Sequence, residues 1–414
     1  MRIRSFYCLC ILIYCLHIST TAQSQLRKVY LNPKTIVREK QSRFLDSIKF
    51  IPLETKNGIE VGEYYSVQVT EKYFMLNDYM NKRMLLYSKD GRFVKNINYK
   101  KLGENLYPAY REGSNQITFF GNNKNYTLTP KDQVKIKLDW NNPRNKKYFK
   151  KFALDLNDPS LVIKKVVPEE KDITQVYHYY DDYFVQGKVS VSPLYKDSMD
   201  YEIKMYKNNQ FVKGFFSYNR INEPRFLYTE ENISFTKTDS PHINIITRPY
   251  CDTIYKMIKD SLFPVYQLVL PLENSLPASF FTKPFKNKTE RENFSRNNGW
   301  MLRQAYSFYE TPKFIYLMVG YLSNFESYIY DKQTNITYKT KNIKSDSSHY
   351  NLGLLGDFSM QRKGDKFYKP QKAGDLLTFF DNNKNVPVPK ELQELLKSKP
   401  PRTTPVIVEF KLKN

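Results

Sequence analysis

Apolar and polar positions along this chain fall into short stretches, and few stretches hold the longer period of a helix. Residues 134–138 (VKIKL) alternate at every second position, as a strand with one covered face does. Residues 73–76 (YFML), 84–87 (MLLY), 117–120 (ITFF) and 314–319 (FIYLMV) are apolar runs of strand length. Tyr, Phe, Ile and Val fill them, the residue types that suit a pleated surface. Polar turns separate them, among them Lys89-Asp90-Gly91, Lys207-Asn208-Asn209-Gln210 and Asp331-Lys332-Gln333-Thr334-Asn335. Asn tolerates left-handed turn positions and stands in for scarce glycine.

Two stretches depart from this grammar. Residues 273–304 read as a polar, basic excursion with a short helix near 287–298. Residues 389–397 read as a second short helix, with Pro389 in the first turn and the leucines on one face. Three segments echo one another: 85–94, 204–212 and 328–337. Each is an apolar strand ending near a Tyr, a polar turn, and a return strand. Recurring hairpins of this kind suggest a closed all-β repeat, and a propeller hides most of its sheet edges. A pair of β-sandwiches or a parallel β-helix is the alternative, and the low glycine content argues against the β-helix. At roughly 40–50 residues per blade, six blades need about 240–300 residues.

Composition narrows the class. With 41% hydrophobic and 26% charged residues, the chain has the makeup of a folded protein. It is not a coiled coil, a collagen or a low-complexity sequence, nor a multi-span membrane protein. Residues 1–22 read as an export signal: Arg2 and Arg4, then an apolar run too short to span a bilayer, then small residues. Cleavage is expected between Ala22 and Gln23, leaving 23–414 as a single all-β domain with no transmembrane segment. Three of the four cysteines would leave with the signal, and Cys251 would remain as a small, partly buried residue. The net charge would fall from +23 to +21 with the loss of Arg2 and Arg4.

Several segments together resemble the exported six-bladed β-propeller proteins of Bacteroidota. Phe50-Ile51-Pro52-Leu53-Glu54-Thr55 is similar to that family's entry strand, and Lys89-Asp90-Gly91-Arg92-Phe93 to its first-blade hairpin. Asp252-Thr253-Ile254-Tyr255, followed by Pro264-Val265-Tyr266, resembles a paired-strand motif. Residues 404–413 resemble the closing strand. Residues 101–110 depart from the family's glycine-rich loop, having lost most of its glycines. The resemblance implies a six-bladed propeller of roughly 24 strands and an exported location, periplasmic or at the cell surface. It implies pairing of a first strand near 48–54 with a last strand near 406–413. It carries over no catalytic residues.

Candidate chemistry is sparse. No HExxH, GxSxG, Walker or EF-hand pattern occurs. The most suggestive cluster is Tyr177, His178, Tyr180, Asp181 and Asp182, read either as a binding site or as an aromatic strand entering an Asp-Asp turn. The acidic pairs Glu169-Glu170 and Glu230-Glu231 read as solvated loops. The densest basic patch, 144–151, has interleaved aromatics, but lysine is spread along the whole chain and reads as solvated surface. Ser198, in Asp197-Ser198-Met199, fits a short O-glycosylation pattern of Bacteroidota and sits among exposed-loop residues. The leading expectation is a monomeric, non-catalytic binding or scaffold protein of the cell envelope, for a glycan, a peptide or an envelope protein. No nucleic-acid partner is expected, and no cofactor beyond a structural metal ion. The alternative is a glycan hydrolase or lyase acting at the channel mouth.

Overall fold

The computed structural model describes residues 26–414 apart from 56–58, 64, 104–105, 123–128, 130–135, 137–147, 170–171, 173–176, 196, 209, 239, 241 and 356–359. The segment read as an export signal, with its expected cleavage point at Ala22 and Gln23, most of the 134–138 run, and basic residues 144–147 lie outside the described residues. So do the side chains of Tyr177 and Tyr180.

Six four-stranded antiparallel arrays follow one another along the chain. Blade 1 is Tyr65–Val69, Tyr73–Asp78, Arg83–Ser88 and Phe93–Asn98. Blade 2 is Tyr107–Arg111, Gln116–Asn122, Phe149–Asp155 and Lys164–Val166. Blade 3 is Tyr177–Tyr180, Tyr183–Gln186, Met199–Lys207 and Gln210–Asn219. Blade 4 is Ser234–Lys237, Ile243–Thr247, Thr253–Ile258 and Ser261–Val269. Blade 5 is Leu302–Glu310, Phe314–Tyr321, Phe325–Asp331 and Thr337–Lys339. Blade 6 combines Gln361–Lys363, Lys366–Lys372 and Pro405–Leu412 with the early strand Leu45–Pro52.

Blades packed face to face cover both sides of their middle strands. That is why these strands read as unbroken apolar runs instead of alternating ones. Phe314–Tyr321 is buried at every position but one, whereas the outer strand Phe93–Asn98 alternates toward solvent. Between blades 1 and 2, Met75, Leu86 and Ile97 meet Ile117, Phe119 and Leu154. Between blades 6 and 1, Ile51, Tyr368 and Ile407 meet Val67, Phe74 and Leu85. The three echoed hairpins of the sequence all join the third and fourth strands of a blade, in blades 1, 3 and 5.

Leu45–Pro52 pairs with Pro405–Leu412, with Ile51 opposite Ile407 and Phe50 opposite Val408, and so closes the ring. Before reaching that position the chain runs around the outside of blades 4 and 5. Arg27–Tyr30 adds a parallel strand to Ser261–Val269, and Glu39–Lys40 pairs with Ile343–Lys344. Lys339 Nζ donates to the Pro33 carbonyl at 2.6 Å, and Asn342 Nδ2 to that of Thr35 at 3.0 Å.

The meander gives the ring two unlike faces. Turns between first and second strands, and between third and fourth, emerge on one face and are mostly short. Connections between second and third strands, and from blade to blade, emerge on the other. Four helices among the described residues belong to that second face. Helices α1 (Ala278–Thr282) and α2 (Lys288–Asn297) link blades 4 and 5. Helices α3 (Ala373–Asn382) and α4 (Lys390–Lys397) are inserted in blade 6. The α2 N-cap is Asn287, whose Oδ1 accepts from the Glu290 N–H at 2.9 Å. Leu392 and Leu396, one turn apart on α4, are buried. Helices α2 and α4 fall where the sequence predicts helix. Helix α3 was not foreseen, because its ten residues contain a glycine and end in an Asp-Asn pair that reads as a turn.

Candidate functional site

The innermost strand of each blade lines the axis, and the residues that close these strands on the short-turn face form the channel mouth. A cavity of about 600 Å³ opens there. Blades 4, 5 and 6 supply its walls, with Phe235, Tyr306, Tyr309 and Phe367 among the aromatics. The first turns of blades 1 and 2 supply Glu71 and Glu112. A second cavity of about 360 Å³ shares Lys237, Tyr309 and Arg362 and continues between blades 4 and 5.

Charges from four blades meet at this mouth. Lys363 Nζ bonds Glu112 Oε1 at 2.5 Å and also pairs with Glu71. Lys237 Nζ lies 3.8 Å from Glu112. Burial pushes the Glu112 carboxyl up, but the hydrogen bond from Lys363 and the nearby lysine charges outweigh it and hold it below the usual range. Burial likewise pulls Lys363 down, and its two carboxylates more than restore it. Arg362 donates to the carbonyls of Gly364, at 2.6 Å, and Lys237, which latches blade 6 to blade 4. Its guanidinium lies 4.7 Å from the Tyr309 ring centre. Lys237, Arg362 and Lys363 thus meet Glu71 and Glu112 at the mouth.

Gly113 fixes where Glu112 sits. A Cβ at this position would lie 2.1 Å from Cβ of Tyr179, so only glycine lets the blade 2 turn lie against the inner strand of blade 3. His178 of that strand packs behind the wall residue Phe235. Its ring stacks parallel on Phe235 at 5.6 Å between centres, and Nε2 bonds Asn244 Oδ1 at 3.1 Å. Burial, helped by the Lys237 charge, lowers its pKa to about 4, so the imidazole is neutral at neutral pH.

Asp181 and Asp182 form the turn after His178 and face other partners. Asp181 Oδ1 lies 2.7 Å from Nδ1 of the exposed His242, and Asp182 pairs with Lys207. Ser198 is exposed just before the third strand of blade 3. Cys251 is half-buried, beside Arg248. The acidic pair at 230–231 corrects the solvated-loop expectation. Glu231 is 2% exposed and sits in a short strand, Glu230–Asn232, paired with Lys188–Ser190. One charged partner, Arg303, and the hydroxyls of Tyr250 and Thr229 explain its burial. Glu71, Glu112, Lys237, Arg362 and Lys363 were not foreseen as a group. Among the described residues, no three His, Cys, Asp or Glu side chains converge as a metal site.

Residues 19–107 match the family model DUF5128, 6-bladed beta-propeller. The chain folds as a six-bladed β-propeller. A solved structure of a protein described as exported, from Bacteroides fragilis NCTC 9343, superposes with a TM-score of 0.55 at 15% identity. The match covers 94% of this propeller and 100% of that chain. A DUF4221 family member from Bacteroides vulgatus ATCC 8482 is similar at TM-score 0.41 and 9% identity, over 89% and 98% of the two chains. The PQQ-bound aldose sugar dehydrogenase of Streptomyces coelicolor is similar at TM-score 0.33 and 8% identity, over 89% and 99%. No curated protein matches the sequence of the propeller. Among its described residues no helix is long and apolar enough to cross a membrane.

Proposed function

We propose that this propeller is an exported, non-catalytic binding protein of the cell envelope whose channel mouth receives an acidic glycan. The observation that carries the reading is the set Lys237, Arg362 and Lys363 around a 600 Å³ cavity walled by aromatic rings. Tyr and Phe faces suit sugar rings, and the cationic donors suit a carboxylate or ester on the same ligand. Glu71 and Glu112 are ion-paired to Lys363, so they act as hydrogen-bond acceptors for hydroxyls. A glycosidase needs one carboxylic acid that stays protonated, and the pKa of Glu112 is displaced in the opposite direction.

An array of neutral and uronic-acid oligosaccharides, probed with the purified chain, tests this. Binding confined to acidic glycans and lost in Arg362→Ala and Lys363→Ala is the expected result. Binding that neither substitution affects, or release of reducing ends during incubation, overturns it. For Ser198, we propose glycan attachment, which its exposure permits; a mass spectrum of native protein with Ser198 unmodified removes the idea.

A further inference from the structure

On the opposite face, helix α2 packs over the junction of blades 4 and 5 and brings Arg291 into the interior, 4% exposed. Its guanidinium sits among three rings, with centres at 4.6 Å (Phe280), 4.9 Å (Phe285) and 5.1 Å (Tyr250). Nη2 donates to Tyr250 Oη at 2.6 Å, and Nη1 is buried with no hydrogen-bond partner.

The nearest carboxylate does not supply the missing charge. Glu231 Oε1 accepts from Tyr250 Oη at 2.5 Å and from Thr229 Oγ1 at 2.9 Å. Its Oε2 accepts from Arg303 Nε at 3.2 Å and Nη2 at 2.9 Å. The one negative charge is thereby matched to Arg303, and Arg291 is left as an uncompensated buried cation. A buried charge without a counter-ion is among the costlier arrangements in a protein. Arg291 and Arg303 line a cavity of about 370 Å³, with the exposed Arg296 at its rim. The other acidic residue of the lining, Glu292, is exposed and faces Lys288 on the same helix at 3.6 Å.

We infer that this cavity is an anion site, in which Arg291, Arg296 and Arg303 receive one oxyanionic group: a sulfate, a phosphate or a carboxylate. Arginine suits this role because its planar donors match oxyanion geometry and its charge cannot be relieved by deprotonation. The site is independent of the channel mouth, which lies on the other face.

Thermal unfolding of the full mature chain tests it, in sodium sulfate, phosphate or acetate, each balanced with chloride to constant ionic strength. The expected result is a saturable rise in Tm with at least one anion; the anion that acts identifies the group. Arg291→Met keeps the stem on its rings and should weaken the apparent affinity at least tenfold. Arg296→Glu, at an exposed helical position, should fold normally and weaken it about tenfold. Lys363→Ala should leave it unchanged, which separates this site from the glycan reading. No saturable response to any of the three anions overturns the site. So does a response undiminished in Arg296→Glu, since general salting-out neither saturates nor depends on one side chain. A response abolished by Lys363→Ala also overturns it, because the anion would then be acting at the channel.

Discussion

The two faces of the ring are held by different forces. On the turn face, short loops bring Glu71, Glu112, Lys237 and Lys363 from four blades into one ion-paired group. On the helix face, Phe280, Phe285 and Phe294 of the α1–α2 segment pack onto Tyr250 and Phe226. The first arrangement depends on protonation and salt, the second on area removed from water. A ring of blades can therefore carry a responsive mouth on one side while a fixed apolar cap secures the other.

The largest expected effect strikes both faces at once. Deleting residues 404–414 removes a middle strand of blade 6 and leaves Leu45–Pro52 without its partner. Calorimetry should show the cooperative transition lost or its midpoint greatly lowered; an unchanged midpoint would mean that closure is not what holds the ring. Phe280→Ala tests the helix face alone. Phe280 is 2% exposed, and its truncation should cost about 3–5 kcal/mol in denaturant unfolding, with no change between pH 5 and 8.

The turn face should instead show a pH signature through His178. Its folded pKa of about 4 lies below the ordinary value of 6.5, so the unfolded chain takes up the proton first as pH falls. Its share of stability is complete above pH 6.5 and is lost between there and pH 4, up to about 3 kcal/mol. His178→Gln keeps a donor for Asn244 and should flatten that limb. A residual slope is expected from His349, which burial also lowers. Lys363→Met leaves Glu112 without its ammonium and should cost about 1–3 kcal/mol, much of it recovered in the double variant with Glu112→Gln.

The smallest effect is a gain. Lys89 Nζ is buried without a hydrogen-bond partner, 4.7 Å from the Phe74 ring centre, and burial lowers its pKa to about 8. Lys89→Met should stabilise the chain by about 1 kcal/mol at pH 7. It should also remove the rise in stability that the wild type shows between pH 8 and 10.5, where only the unfolded lysine remains protonated. Titration of urea midpoints checks both.

The fold was largely legible in the sequence because blade strands must be aromatic or aliphatic on both faces, and such runs stand out against Asn- and Lys-rich turns. The echo at 85–94, 204–212 and 328–337 marked one hairpin in alternate blades. The channel mouth was not legible as a group. Glu71, Glu112, Lys237 and Lys363 each sit at or just beyond the end of an inner strand, and each looks like an ordinary turn charge. Their position relative to the inner strands was the usable signal, and it required the blade register first. Glu231 was misread for the same reason: a two-residue acidic pair says nothing about the arginine that three-dimensional packing brings to it.

Ring closure has a consequence for the order in which this protein can mature. Ile48, Phe50 and Ile51 lie near the start of the chain, yet their strand partner spans Pro405–Leu412, near its end. A chain emerging from its amino terminus carries an apolar, unpaired strand through almost the whole of its synthesis. Contacts of such long sequence separation form late and slowly, and an open strand edge invites pairing between molecules. Until the last strand arrives, holding that edge apart from other chains falls to a chaperone or to a rapidly docked alternative within the molecule.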